Sequence, residues 1–180
     1  MTDEQGQQTQ QVQQEDGQLN VEQSDNKITL SRVYDAPQEL VFSMFKNPEH
    51  LAKWWGPTTW PASIKSFDFR PGGIWHYYMT GPDGEKAWGK ATFAEIDEPN
   101  SITFTDAFSD EEGNVDPKLP VGKSTVLFAE VGGKTTLTMI GEYQSAEEVQ
   151  KIVEMGMVEG MRDTWSQLER LLAEAQRAEK

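Results

Sequence analysis

The chain has 180 residues, with 16 Lys plus Arg against 30 Asp plus Glu, a formal charge of −14 and no cysteine. Disulfide staples, thiolate metal sites and cysteine nucleophiles are thereby excluded, and so acidic a surface repels phosphate backbones, which removes nucleic acid from the expected partners. No apolar run approaches the roughly 20 residues needed to span a bilayer, and the first residues lack the basic and apolar regions of a secretion signal, so the expectation is a cytoplasmic protein with no membrane span.

Residues 1–25 are rich in Gln, carry Asp and Glu but no Lys or Arg, and beyond Met1 hold only Val12, Leu19 and Val21 as aliphatics. Such a segment cannot bury enough apolar area to offset the entropy of ordering, which predicts a disordered Gln-rich tail over 1–25. One domain is expected over 26–176, long enough to bury about two-thirds of its unfolded surface.

Within it, Ile28, Leu30 and Arg32 alternate with Thr29, Ser31 and Val33, the pattern of a half-buried strand. Pro37 stands where a first helical turn tolerates it and opens a short helix through Val41, Phe42 and Phe45. Asn47 as N-cap and Pro48 as first helical residue open a second, which breaks at Gly56-Pro57. Further strands are predicted at 64–69, 74–80, 87–96, 102–107, 123–131 and 135–143, punctuated by turns such as Gly81-Pro82-Asp83-Gly84 and Gly132-Gly133. Hairpin connections make this sheet of about seven strands antiparallel. Ser145 and Glu148 form a capping box for one long amphipathic helix reaching about Ala175, whose apolar stripe includes Val149, Val153, Gly156, Gly160, Thr164 and Leu168. The fold class is α+β.

That element order resembles the START-like, or SRPBCC, superfamily with its helix-grip fold. The most similar branch is that of proteins like the C-terminal domain of the activator of heat-shock protein 90 ATPase. The residues carrying the likeness are Ala36-Pro37, Trp54-Trp55-Gly56-Pro57, Phe69-Arg70-Pro71-Gly72-Gly73, Gly81-Pro82-Asp83-Gly84 and Gly160-Met161 followed by Leu168-Glu169-Arg170-Leu171. The resemblance covers about 27–174. It implies a curved sheet wrapped on the C-terminal helix, with a hydrophobic cavity between them. Relatives bind lipids, sterols, polyketides or hormones there, a few catalyse cyclisation, and the chaperone-activator branch uses the domain to bind protein. The eukaryotic activators also carry a separate N-terminal chaperone-stimulating domain for which this chain shows no counterpart.

Strict alternation puts Trp75, Tyr77 and Met79 on one face of their strand, with Phe104, Phe128 and Met139 at equivalent positions on later strands. Gly156 and Gly160, flanked by Met157 and Met161, face them from the helix, and a helical glycine costs about 1 kcal/mol against alanine, so its presence needs a reason. Two remain open: space for a ligand, or close packing of helix on sheet. Trp55 and Trp88 are candidates for the cavity rim. Trp54 and Trp55, adjacent on a short helix, are not expected both to point inward. These twelve positions, Trp54 aside, are the candidate ligand-binding set.

Catalytic machinery is sparse. His50 and His76 are the only histidines and have no metal-ligand spacing; no Gly-rich loop leads into a helix as a phosphate site requires. No cofactor, metal or catalytic residue is assigned. Asp106, Glu130 and Glu142 are strand carboxylates that could reach a cavity, where burial would raise their pKa. The leading expectation is binding of a small hydrophobic ligand. A chaperone-type protein-interaction module comes second and would show an exposed apolar patch over a filled interior. A cofactor-free cyclase- or hydrolase-type enzyme comes third and would show an acid and a hydroxyl converging in the cavity. A monomer or a homodimer fits each.

Overall fold

The computed structural model describes residues 18–178. Its core element is an eight-stranded antiparallel sheet in the order β1-β2-β8-β7-β6-β5-β4-β3, curved around a long C-terminal helix. The expected seven strands are β2 Lys27–Tyr34, β3 Ala62–Phe67, β4 Ile74–Thr80, β5 Lys86–Asp97, β6 Ser101–Ser109, β7 Gly122–Val131 and β8 Lys134–Glu142. Helices α1 Gln38–Lys46 and α2 Pro48–Trp54 carry the chain from β2 to β3, which lies at the opposite edge of the sheet. This is the helix-grip arrangement.

The eighth strand is a departure from the expected tail. Asn20–Ser24 form β1, which pairs with β2 from Asn20↔Ser31 to Ser24↔Lys27, while Leu19 packs against the core. The chain turns at Asp25, which adopts φ +50. Composition predicts no strand here because Val21 is the only aliphatic residue in it; backbone pairing to an open edge needs none. The remainder of the tail expectation, residues 1–17, lies outside the described residues.

Local signals explain most boundaries. β2 alternates strictly, burying Ile28, Leu30, Arg32 and Tyr34. Asn47 caps α2 by accepting the Glu49 N–H at 3.0 Å, with Pro48 at the first position. Val41, Phe42, Met44 and Phe45 turn the buried face of α1 onto the sheet. Ser145 caps the next helix by accepting the Glu148 N–H, and the Glu148 carboxylate accepts the Gln144 N–H in return.

That next helix is shorter than the stripe implies. α3 Ala146–Glu154 ends at Met155, and α4 Met157–Ala178 begins after a break. Gly156 sits at the break with φ +89, its N–H bonded to the Val153 carbonyl at 3.0 Å. This is glycine in its helix-terminating role, where a left-handed residue must follow the C-cap. Periodicity runs through the break in sequence because both segments present apolar residues to the same sheet. α4 buries Thr164, Trp165, Leu168 and Leu172. It is tied to β2 by the Arg32–Glu169 ion pair and by the Tyr34 hydroxyl, which donates to the Trp165 carbonyl at 2.9 Å. Among the described residues no helix is long and apolar enough to cross a membrane.

Candidate functional site

Between α4 and the concave face lies a cavity of about 350 Å³. Its apolar walls come from Ile28 and Leu30 of β2, Met79 of β4, Met139 of β8, Ile152 of α3, and Met157 and Met161 of α4. Trp55, Gly56 and Pro57 close one side, and Met155, 52 % exposed, stands at the mouth. The glycines on the helical side face empty volume. A Cβ on Gly156 would meet nothing within 4 Å, and one on Gly160 only the Pro57 ring at 3.5 Å, an ordinary contact. Close helix-on-sheet packing is therefore not what these glycines serve: Gly156 makes the turn between helices, and Gly160 leaves space.

The sheet side is built differently. A Cβ on Gly89 would stand 2.5 Å from the Tyr77 ring, and one on Gly122 2.9 Å from the Tyr143 ring. Gly89 is the cross-strand partner of Tyr77, and Gly122 that of Asp106. These glycines let two tyrosine rings lie against the sheet itself, where any side chain would lift them off. The Asp106 carboxylate accepts the Tyr77 hydroxyl at 3.2 Å and 3.4 Å, and Tyr143, over the cross-strand partner of Asp106, feels its charge. The result is a carboxyl flanked by two phenols at the cavity wall.

Burial governs the titration of this cluster. Enclosure away from bulk water pushes the Asp106 carboxyl up to about 7, against the opposing hydrogen bonds from Tyr77 and the Ala107 backbone N–H. Asp106 nevertheless retains part of its accessible surface, as a group lining an internal cavity must. Desolvation, reinforced by the Asp106 charge, raises Tyr77 well above the ordinary phenol value. Tyr143 is pushed up to about 12, by desolvation first and by the charges of Asp106 and Glu148 after it. The Trp55 indole N–H neighbours the Tyr77 hydroxyl but makes no hydrogen bond of ordinary geometry. An acid near its midpoint at neutral pH and two phenols are what the cavity can offer a guest.

Of the twelve candidate residues, Trp55, Tyr77, Met79, Trp88, Met139, Gly156, Met157, Gly160 and Met161 border the cavity. Trp75, Phe104 and Phe128 do not. They share the concave face but lie toward its other end, where Phe42, Phe45, Phe67, Phe69 and Phe93 pack edge-to-face against them or one another. Trp88 borders the cavity by position only: its ring stacks on His76 and Tyr78, on the convex face. His76 Nε2 there lies 3.0 Å from the Asp110 carbonyl, under the 110–116 loop, away from the cavity.

Trp54 and Trp55 are both buried, against the sequence reading. α2 ends at Trp54, and Trp55 is extended with ψ 132, so the two side chains escape helical spacing. Trp54 turns under α1 and donates to the Met44 carbonyl at 2.9 Å; Trp55 turns onto Trp75 and Tyr77. Of the three strand carboxylates, only Asp106 lines the cavity. Glu130 is exposed and accepts the Gln38 N–H, and Glu142 is exposed at the end of β8. Tyr143, Gly89, Gly122 and Ser124 were not anticipated as site residues, although alternation along β5 and β7 was enough to find the last three and alternation along the strand predicted over 135–143 the first. Among the described residues no group of three or more His, Cys, Asp and Glu could hold a metal ion.

Comparison with known proteins places this geometry among relatives. Residues 35–173 match the model of the family described as Activator of Hsp90 ATPase homolog 1-like protein. A protein from Arthrobacter aurescens, solved by NMR in solution, is 38% identical with a TM-score of 0.82, covering 86% of this chain and 91% of that one. The crystal structure of a protein from Mycobacterium smegmatis is 37% identical with a TM-score of 0.80, covering 86% and 97%. A protein from Staphylococcus epidermidis is 29% identical with a TM-score of 0.77, covering 87% and 94%. No curated protein matches the chain.

Proposed function

The chain belongs to the Activator of Hsp90 ATPase homolog 1-like family, a branch of the START-like superfamily, and from that premise we propose that it binds a small hydrophobic ligand in the cavity between α4 and the sheet. One observation carries this reading: Gly160, in the first turn of α4, faces the cavity with only the Pro57 ring near an added Cβ, at the cost a helical glycine brings. The volume of about 350 Å³ suits a small molecule. Its methionines adapt to an irregular guest, and burial supplies about 25 cal/mol per Å² of apolar surface removed from water.

The test is Gly160→Leu, assayed with a neutral apolar fluorophore such as N-phenyl-1-naphthylamine. The parent is expected to bind it with enhanced emission and the variant to lose binding while keeping its denaturation midpoint. A parent that binds no such probe, or a variant that unfolds, would overturn the reading.

A second reading is favoured by the convergence of Asp106 and the Tyr77 hydroxyl at the cavity wall. A carboxyl near its midpoint at neutral pH suits general acid–base work on a bound molecule without a cofactor. Deuterium exchange at the α-carbon of a small bound ketone, followed by NMR and abolished in Asp106→Asn, would support it; no exchange beyond buffer would remove it. The protein-interaction alternative draws on the family description alone, since the interior holds a cavity where that reading expects a filled core.

A further inference from the structure

The polar content of the cavity is one-sided. Among the described residues its single charged side chain is that of Asp106, and no Lys, Arg or His lines it. A guest bearing a carboxylate, sulfonate or phosphate would find no counter-ion there and would meet Asp106 in a water-poor space, where like charges repel strongly. The net charge of −14 opposes its approach as well. Fatty acids and phospholipid head groups are thereby disfavoured guests, however apolar the walls.

A cation meets the opposite situation. Asp106 can pair with it, and the Tyr77 and Tyr143 rings, held against the sheet by Gly89 and Gly122, set two aromatic surfaces beside the carboxylate, with the Trp55 indole against Tyr77. Carboxylate plus electron-rich rings is the chemistry that recognises an ammonium group. The carboxylate's own desolvation has already been met in folding, so an incoming amine gains the ion pair while losing only its own hydration. Resting on the ligand-binding reading above, we propose that the cavity selects apolar molecules that carry a protonated amine, with Asp106 as counter-ion and Tyr77 and Tyr143 as its aromatic flanks.

The groups that face Asp106 give this a protonic signature. They are Tyr77 from β4, Tyr143 after β8 and, acting through Tyr143, Glu148 of α3; α4 and β2 present it no ionisable side chain in the cavity. Both phenols stay neutral through the working range, so Asp106 alone titrates. An ammonium guest stabilises its ionised form and displaces its proton; a neutral guest does not.

The experiment compares 1-naphthylmethylamine, 1-naphthylmethanol and 1-naphthoic acid by isothermal titration into the full chain. At pH 8 the amine is expected to bind about tenfold or more tighter than the alcohol, with the acid weakest, as a buried charge-assisted pair implies. Between pH 5.5 and 8 the amine's affinity should rise while the alcohol's stays level. At pH 7, heats in phosphate and Tris should differ for the amine by a fractional proton release and agree for the alcohol. Asp106→Asn should erase both the amine's preference over the alcohol and the proton release. Equal binding of amine and alcohol, tightest binding of the acid, or a preference surviving in Asp106→Asn would overturn the proposal and leave ligand binding standing. Failure of all three probes to bind the folded parent would overturn both.

Discussion

The concave face of the sheet is full at one end and hollow at the other, and the same strands make both ends. Along β4 the inward residues run Trp75, Tyr77, Met79; along β5 they run Phe93, Ala91, Gly89; along β7, Phe128, Val126, Ser124, Gly122; along β8, Leu137, Met139, Gly141. Toward one end each strand sends a large side chain inward, and aromatic rings meet edge-to-face at 4.8–6.2 Å. Toward the other, β5, β7 and β8 send glycine, alanine or serine, and the volume is left to Tyr77, Tyr143, Asp106 and empty space. The cavity follows a gradient of side-chain size along β5, β7 and β8. The filled end holds the fold together; the hollow end is free to hold something else.

The largest expected effect breaks the filled end. Phe104, 2 % exposed and ringed by Trp75 and Phe93, should cost about 3–5 kcal/mol on Phe104→Ala, since a dense aromatic cluster collapses poorly around a void. Met157→Ala at the hollow end removes a side chain that already borders empty volume, and should fall well below the 2–5 kcal/mol of a packed methionine. Urea denaturation of the two variants measures the contrast. Similar losses would mean the two ends are equally packed.

Next in size is an overfilling of the sheet side. Gly89→Ala places a Cβ 2.5 Å from the Tyr77 ring, which must lift off the strand, at a cost of about 1–3 kcal/mol. The Tyr77 hydroxyl holds the Asp106 pKa down, so its displacement should move that pKa further up. Carboxyl NMR titration alongside denaturation checks both effects, and an unmoved Asp106 would show that Tyr77 has kept its place.

These two positions also show what could be read from the chain itself. Strand periodicity and turn chemistry were enough for seven of the strands and the antiparallel hairpins between them, because Gly-Pro-Asp-Gly and Gly-Gly turns leave a hairpin little choice; the pairing of β2 with β8 and the edge strand β1 carry no such signal. Apolar alternation put Trp75, Phe104 and Phe128 on the correct face but said nothing of position along it, so core residues entered the candidate site. The hollow end was written in the complementary signal: Gly89, Gly122 and Ser124 occupy inward positions on strands otherwise rich in large residues. A search for large apolar side chains passes over the residues whose smallness makes the room. Tyr143 stood in phase with Leu137 and Met139 at the end of the strand predicted over 135–143, but a search for apolar side chains passes over it; in the fold it follows β8 and lies over Gly122, its N–H bonded to the Asn26 carbonyl at 2.9 Å. Helix periodicity likewise cannot distinguish a glycine that terminates a helix from one that thins it; backbone conformation does.

Acid titration separates the ends in a third way, because the filled end contains no comparable group. Asp106 has a native pKa of about 7 against 3.8 when unfolded. Between those values the native state holds a proton the unfolded state has lost, so stability falls as pH rises from about 4 to 7, by up to about 1.4 kcal/mol per pH unit, and the penalty is complete above 7. Asp106→Asn removes this dependence. The variant should therefore gain on the parent as pH rises, lying closest to it near pH 4 and furthest above it at pH 8. Melting temperatures at four pH values suffice; a constant offset between the two would place Asp106 in contact with bulk water.

The smallest expected effect contrasts two glycines four residues apart at the hollow end. Gly160 has helical backbone in α4, and an added Cβ meets only Pro57 at 3.5 Å, so Gly160→Ala should stabilise by up to about 1 kcal/mol through helix propensity alone. Gly156 has as much room, with nothing within 4 Å, but holds φ +89. An L side chain there carries backbone strain of about 1–2 kcal/mol, so Gly156→Ala should destabilise although it touches nothing. Opposite signs from two substitutions that both enter open space would separate conformation from packing as the cause. Destabilisation by both would mean that α4 closes onto the sheet in solution, filling the hollow end and leaving no cavity for a guest.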